Sequence, residues 1–373
     1  MQRQNVVLWM IIIIALGSIL LSFLVVFNWN TPLGPALSLP TLTHTATFNP
    51  PRATEIAPPS TASSQLTVEA PITSNVPATP VPSQIPTAKP SCNGSRTMTI
   101  LVIGSDARDP GYLYGLADSI HVFRIDFSIP NIMVIDFPRD LWVEIPGISD
   151  HYGITHGKLN QAYFYGNPGM GYYDGPGEGP GLLARTLDLN FGLRVDRYIA
   201  VDTRTFIYMI DAIGGVDVQV ENPIDLNYGM ATPDPQLYLS VGTHHLDGEL
   251  AYALATNRIP TTFQRMKYQK IILSALREKL LKPEMLPKLP LLAARFITSV
   301  QTDLSLSDIT SLICIAQAVP SQNIMADSFP QDMFTPSSIY DPVRGVYTFI
   351  YEADFNKLRQ MVAEYMFGIW PIP

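Results

Sequence analysis

Three stretches decide the reading of this chain: I-L-V-I-G-S-D-A-R (residues 100–108), A-D-S-I (117–120) and I-M-V-I-D-F-P-R-D (132–140). Two apolar runs, Thr99–Ile103 and Ile132–Ile135, each lead into a charged cluster, Asp106 with Arg108 and Arg139 with Asp140. Short apolar runs bounded by polar, Gly or Pro residues read as buried strands. Ligands of open α/β sheets gather just beyond the carboxyl ends of such strands. Carboxylates and guanidiniums delivered together to that edge suit a metal ion and a phosphate-bearing substrate. His121–Asp126 continues the strand pattern, which predicts three neighbouring strands over Thr99–Ile103, Ser119–Asp126 and Ile132–Phe137, with Leu141–Ile145 extending the series.

Beyond Pro146-Gly147 a short helix is expected from the Lys158–Asn160 region, then a Gly/Pro loop over 166–181. Helices are expected at Leu182–Asn190, Thr203–Ile213, Asp247–Ala255, Gln264–Leu281, Leu286–Val300, Leu306–Ala318 and Asp354–Phe367. Strands are expected at Tyr198–Val201 and Val216–Val220. The alternation predicts an α/β (mixed α+β) domain, a central mixed sheet flanked by helices.

Outward from this core the chain changes character. Residues 6–27 carry no charge and are long enough to cross a bilayer. Arg3 lies ahead of them and the next basic residue is Arg52, so residues 1–5 are expected to be cytoplasmic and the body external. Residues 28–96, rich in Pro, Thr and Ser, read as an extended spacer, and 97–373 as one folded domain. The net charge of −8 disfavours nucleic acid as a partner. The two cysteines, Cys92 and Cys314, sit in such different settings that no disulfide is expected. His244-His245 reads as a turn feature rather than a metal site. Ser105 lacks a G-x-S-x-G elbow and an evident partner histidine, which disfavours a serine hydrolase centred there.

The ordered blocks G-S-D-A-R, A-D-S-I, F-P-R-D-L-W-V-E-I-P-G, G-K-L-N-Q-A-Y, D-A-I-G-G-V-D-V and L-D-G-E-L-A-Y-A over about Thr97–Leu281 resemble the LytR-CpsA-Psr family. The resemblance implies a sheet flanked by helices with a hydrophobic tunnel for a prenyl tail. It also implies a phosphotransferase that moves a glycopolymer from a polyprenyl-pyrophosphate carrier onto peptidoglycan. Mapped onto this chain, Asp106 and Asp118 would hold Mg²⁺, and Arg139 would clamp the pyrophosphate. Asp140 would hold Arg139 or act as a base, Arg258 and Arg265 would stabilise the leaving phosphate, and Arg108, Lys158, Asn160 and Gln269 would contact substrate. The chain departs from the family pattern at Leu116, Thr256 and Tyr268, where arginines are usual, and at Thr262, where an aspartate is usual. Either Arg108, Lys267 or Arg124 compensates, or the protein binds polyprenyl phosphates or wall glycans without turnover.

Overall fold

The computed structural model describes residues 29–37, 92 and 96–369, with short breaks at 109–111, 113, 151–152, 228–229, 231, 260 and 342–344. The apolar span 6–27 and most of the spacer lie outside the described residues; among the described residues, no helix is long and apolar enough to cross a membrane.

In chain order, strands β1 (Thr97–Ser105), β2 (Ala117–Asp126), β3 (Asn131–Asp136), β4 (Trp142–Glu144) and β5 (His156–Lys158) precede helices α1 (Leu159–Gly166) and α2 (Glu178–Phe191). Then come β6 (Arg197–Asp202), α3 (Thr203–Ala212), β7 (Val216–Val220), β8 (Ile224–Asp225), β9 (Tyr238–Leu239) and β10 (Gly242–Leu246). Helices α4 (Gly248–Thr256), α5 (Thr262–Leu280) and α6 (Leu289–Phe296) follow, then β11 (Gln301–Thr302) and α7 (Leu306–Ala318). The chain closes with β12 (Ile324–Ser328), β13 (Phe334–Asp341), β14 (Val346–Ala353) and α8 (Phe355–Met366).

The central sheet has the order β11-β6-β1-β2-β3-β12. It is mixed as expected: β1 runs antiparallel to β2 and parallel to β6, and β3 runs parallel to β12. Alternation along each strand assigns the faces. Leu101, Ile103, Ile120, Val122, Met133 and Ile135 point to one side and form a core with α1, α2 and α8. Met98, Ile100 and Ile125 point to the other and pack with Ile315 of α7. A second core, built from α3, β7, α4 and α5, stands beside this second face.

The helices that frame the site start on side-chain caps, which satisfy otherwise orphaned amides. Asp202 accepts from the Thr205 amide, Asp247 from Leu250 and Thr261 from Gln264. Helix α2 begins at Glu178, ahead of the expected Leu182, because Pro180 falls in its first turn, where proline is tolerated. The single helix expected over Leu286–Val300 is a 3₁₀ turn followed by the short α6. His244 and His245 lie on β10 rather than in a turn, with the His245 ring 2.7 Å from Asp217.

Two further findings correct the sequence reading. Cys92 and Cys314 form a disulfide. Ile315 of α7 packs on the same face as Met98 of β1, so two cysteines distant in sequence stand with Cα atoms 5.6 Å apart. Spacing along the chain carries no trace of that packing. Residues 29–37, assigned to the spacer, are seated on the domain: the Leu33 amide donates to the Leu304 carbonyl, Leu37 to Asp303, and Ser307 to the Trp29 carbonyl.

Candidate active site

Arg139 and Asp140 sit on the turn that leaves β3, and the Phe137-Pro138 pair keeps that turn from continuing the strand. Asp140 is nine-tenths buried yet has three partners. Arg139 Nε lies 3.4 Å from its Oδ2, Lys158 Nζ donates to Oδ1 at 3.2 Å, and Thr262 Oγ1 donates to Oδ2 at 3.1 Å. Burial alone would raise the Asp140 carboxyl, but Arg139 and Lys158 hold it below the ordinary carboxylate range. Its geometry is that of a clamp on two cations. Thr262, where the family pattern has an aspartate, supplies a neutral hydroxyl to that clamp. Behind the turn, the Tyr351 amide of β14 donates to the Asp140 carbonyl; the C-terminal hairpin, unassigned from sequence, therefore buttresses this turn.

Arg139 also donates through Nη1 to Asp118, whose second oxygen lies 3.7 Å from Arg265 Nη1. Arg265 is only 3% exposed. Burial, with Arg139 and Arg258 nearby, pulls its guanidinium down to about 10. Arg265 Nε and the buried Asn160 Oδ1 have no hydrogen-bond partner among the described residues. An unsatisfied buried donor is costly and is relieved by an anionic acceptor. Asp106 accepts from the Leu116 amide at 2.6 Å. Burial raises its carboxyl above the ordinary range, and the charge of Asp118 adds to that. Two neighbouring carboxylates suit a divalent cation, since one or two carboxylates plus phosphate oxygens are what Mg²⁺ takes.

These side chains adjoin a cavity of about 350 Å³ between the second sheet face and helices α3 to α5. Val102, Ile199, Phe206, Met209, Ile272 and Leu273 give it an apolar wall, into which Asp106 and Asp118 are set. Gln269 lines it too and donates to the Ala255 carbonyl at 3.2 Å. A larger and more open groove, about 930 Å³, runs along the Gly/Pro-rich loop and contains none of the acid–arginine cluster.

The structure thus brings together Asp106, Asp118, Arg139, Asp140, Lys158 and Arg265, with Arg258 close enough to act on Arg265. Asn160 joins them through its amide, which donates to the Arg139 carbonyl. Arg108 is not gathered: it is exposed, and its carbonyl accepts from Arg204. The other two suggested compensating cations are also elsewhere. Arg124 binds the Met366 carbonyl, and Lys267 faces solvent. Of the three positions lacking the usual arginine, Tyr268 packs in the second core, while the Leu116 amide and the Thr256 side chain border the site.

Sequence reasoning missed a polar row on the cavity side of the sheet. Ser119 Oγ lies 2.5 Å from His121 Nε2, and His121 Nδ1 lies 2.5 Å from Asp136 Oδ1. Ser328 Oγ donates to the other Asp136 oxygen at 3.0 Å, and Lys270 Nζ reaches it at 3.3 Å. The signal was present: Ser119 and His121 are two apart on a strand, and the short β2–β3 turn sets His121 opposite Asp136.

Comparison with known proteins places this architecture. The LytR_cpsA_psr family model matches residues 66–363. The regulatory protein MsrR of Staphylococcus aureus is 30% identical over 211 residues, 56% of each chain. The polyisoprenyl-teichoic acid–peptidoglycan teichoic acid transferase TagV of Bacillus subtilis is 26% identical over 68% of this chain and 60% of its own. The matches thus span little more than half the length of these relatives. The crystal structure of B. subtilis TagV superposes with a TM-score of 0.56 at 25% identity, covering 73% of this chain and 98% of that one. TagT with bound octaprenyl pyrophosphate shares the fold, with a TM-score of 0.51 at 21% identity over 74% of this chain and 91% of its own. The chain belongs to the LytR-CpsA-Psr family.

Proposed function

We propose that this protein is a membrane-anchored phosphotransferase that transfers a glycopolymer from a polyprenyl-pyrophosphate carrier to peptidoglycan, forming a phosphodiester and releasing carrier monophosphate. One observation carries the reading: an acid–arginine cluster with an unsatisfied buried guanidinium donor adjoins an apolar cavity. Together they match the two halves of a prenyl pyrophosphate, a doubly charged head and a hydrocarbon tail. The names of its relatives agree, since TagV is called a teichoic acid transferase and TagT binds octaprenyl pyrophosphate.

In this reading Arg139 and Arg265 exchange their present partner, Asp118, for pyrophosphate oxygens, and Arg258 adds charge. Such preorganised cations stabilise the charge that develops on the departing phosphate. Asp140 and Lys158 keep Arg139 aimed. Asp106 and Asp118 are the residues that would hold Mg²⁺, which when bound supplies charge neutralisation. Residues 6–27 anchor the chain with the domain outside the cytoplasm, a placement in which the Cys92–Cys314 disulfide is at home.

A second reading is motivated by Leu116, Thr256 and Tyr268: a relative that binds the carrier without turnover. The deciding experiment supplies labelled prenyl-pyrophosphoryl glycan and peptidoglycan to the full chain in membranes. Mg²⁺-dependent release of carrier monophosphate that disappears in Arg139→Ala supports the transferase. Mg²⁺-independent binding with no release supports the binder.

A further inference from the structure

The row Ser119, His121, Asp136 has no part in the function as described so far, yet its chemistry is specific. All three residues project from the same sheet face, since β2 pairs with β3 so that His121 stands opposite Asp136. Asp136 is 1% exposed. Burial would raise its carboxyl, but His121, Lys270 and Ser328 together hold it below the ordinary range. An ionised carboxylate can only accept, so His121 Nδ1 carries the proton and donates it to Asp136. With the proton on Nδ1, it is Nε2 that faces the Ser119 hydroxyl, 2.5 Å away, and the unprotonated Nε2 can accept from it. This polarity, hydroxyl to Nε2 and Nδ1 to a buried carboxylate, is how a serine is activated as a nucleophile on several unrelated folds.

The hydroxyl is also open to the cavity. Ser119 and His121 both line it. The strand partner of Ser119 is Gly104, where a Cβ would stand 3.0 Å from the Ser119 Cβ. The missing side chain leaves the serine uncovered. Ser119 follows Asp118, which both Arg139 and Arg265 engage. Asp118 and Ser119 line the same cavity, so the arginines able to stabilise a phosphoryl electrophile are held at a residue of the cavity that the nucleophile lines.

We propose that Ser119 is a covalent nucleophile that takes the glycosyl-phosphoryl group from the prenyl-pyrophosphate donor, with His121 as general base and Asp136 as positioning residue. This rests on the transferase reading above. In the first displacement the Ser119 Oγ–P bond forms and the bond from that phosphorus to the bridging oxygen breaks. The hydroxyl proton passes to His121 Nε2 and from there to the departing prenyl phosphate. In the second, an acceptor sugar hydroxyl attacks the same phosphorus, its proton passes through His121 to Ser119, and the Ser119 Oγ–P bond breaks. Two in-line displacements retain configuration at phosphorus, whereas direct attack inverts it.

Two measurements on the full chain test this separately from the reading it depends on. A fluorophosphonate probe should label Ser119, with no label on Ser119→Ala and labelling at least tenfold slower in His121→Gln, whose fold is checked by thermal melting. Asp136→Asn should slow labelling without weakening donor binding. Failure of the probe to label Ser119 overturns the proposal. Donor supplied without acceptor should then give about one carrier monophosphate per protein in a burst and a glycosyl-phosphate mass on Ser119, while Ser119→Ala loses transfer by about 10²-fold or more. Wild-type transfer by Ser119→Ala, or inversion at a chiral thiophosphate, overturns the covalent route while leaving the transferase standing. Labelling of Ser119 with no carrier release keeps the nucleophile but overturns both the transferase and this donor as its substrate.

Discussion

The two faces of the central sheet come from the same strands, yet one is filled and the other is partly hollow. On the filled face, Leu101, Ile103, Val122 and Ile135 have essentially no exposure and meet helices α1, α2 and α8. On the other, Val102 and Ile199 look across a cavity of about 350 Å³ toward α3 and α5, and Ser119, His121 and Asp136 stand in the same row of side chains. The filled face fixes the strands; the hollow face uses their rigidity to hold charges and a ligand space. The Ser119–His121–Asp136 row is tolerable because each member meets a partner on its own strand, on an adjacent strand or on α5.

The largest effect should fall on the charged rim of the hollow face. Arg139→Ala should reduce carrier monophosphate release by about 10²–10³-fold. Arg139→Lys should recover little, since a point charge cannot span Asp118 and Asp140 at once. Ile103→Ala on the filled face should cost about 2–5 kcal/mol in denaturant unfolding. Val102→Ala, its neighbour on the other face, should cost markedly less, and equal costs would erase the distinction between the faces. Replacing Cys92 and Cys314 together by serine should cost about 2–5 kcal/mol, with activity per folded molecule unchanged.

Leu273→Trp, which places a large side chain against the cavity, should weaken prenyl-pyrophosphate binding by about tenfold, or 1.4 kcal/mol, without lowering the melting temperature of the free protein. The smallest effect concerns the Asp106 carboxyl, raised in the folded state by burial and by Asp118. A raised carboxyl stabilises the fold as pH falls and withdraws that support as pH rises through its folded value. Asp106→Asn should therefore melt slightly higher than wild type at pH 7 and lose the advantage below about pH 4, while transfer activity falls. Asp140 has the opposite sign: its depressed carboxyl supports the fold at neutral pH and withdraws that support in acid.

Much of this was legible in the residues. The short apolar runs Thr99–Ile103 and Ile132–Ile135, bounded by polar, Gly or Pro residues, gave the strands, and the P-R-D turn gave Arg139 and Asp140 their place. What escaped needed contacts between distant segments. Arg108 looked like a site residue because it follows Asp106 closely, but it leaves the sheet on an exposed loop. The Cys92–Cys314 bond depends on how α7 crosses the sheet, which no local pattern encodes. The C-terminal hairpin lacked a recognised role until Tyr351 was found bound to Asp140. Ser119 with His121 was readable as a pair, but Asp136 became their third member only once strand register was known.

The strip 29–37 bears on how far the domain could travel from the proposed anchor. It is fastened at Trp29, Leu33 and Leu37 to the segment around Leu304, and the chain returns at Arg96, where the Phe127 amide donates to its carbonyl. In connectivity, residues 38–91 join two segments that are moored on one body. Their length leaves the attachment of residues 29–37 to the domain untouched. With the proposed anchor at residues 6–27, deleting a block of residues 38–91 should leave the domain's height above the lipid unchanged, whereas releasing the strip 29–37 should increase it.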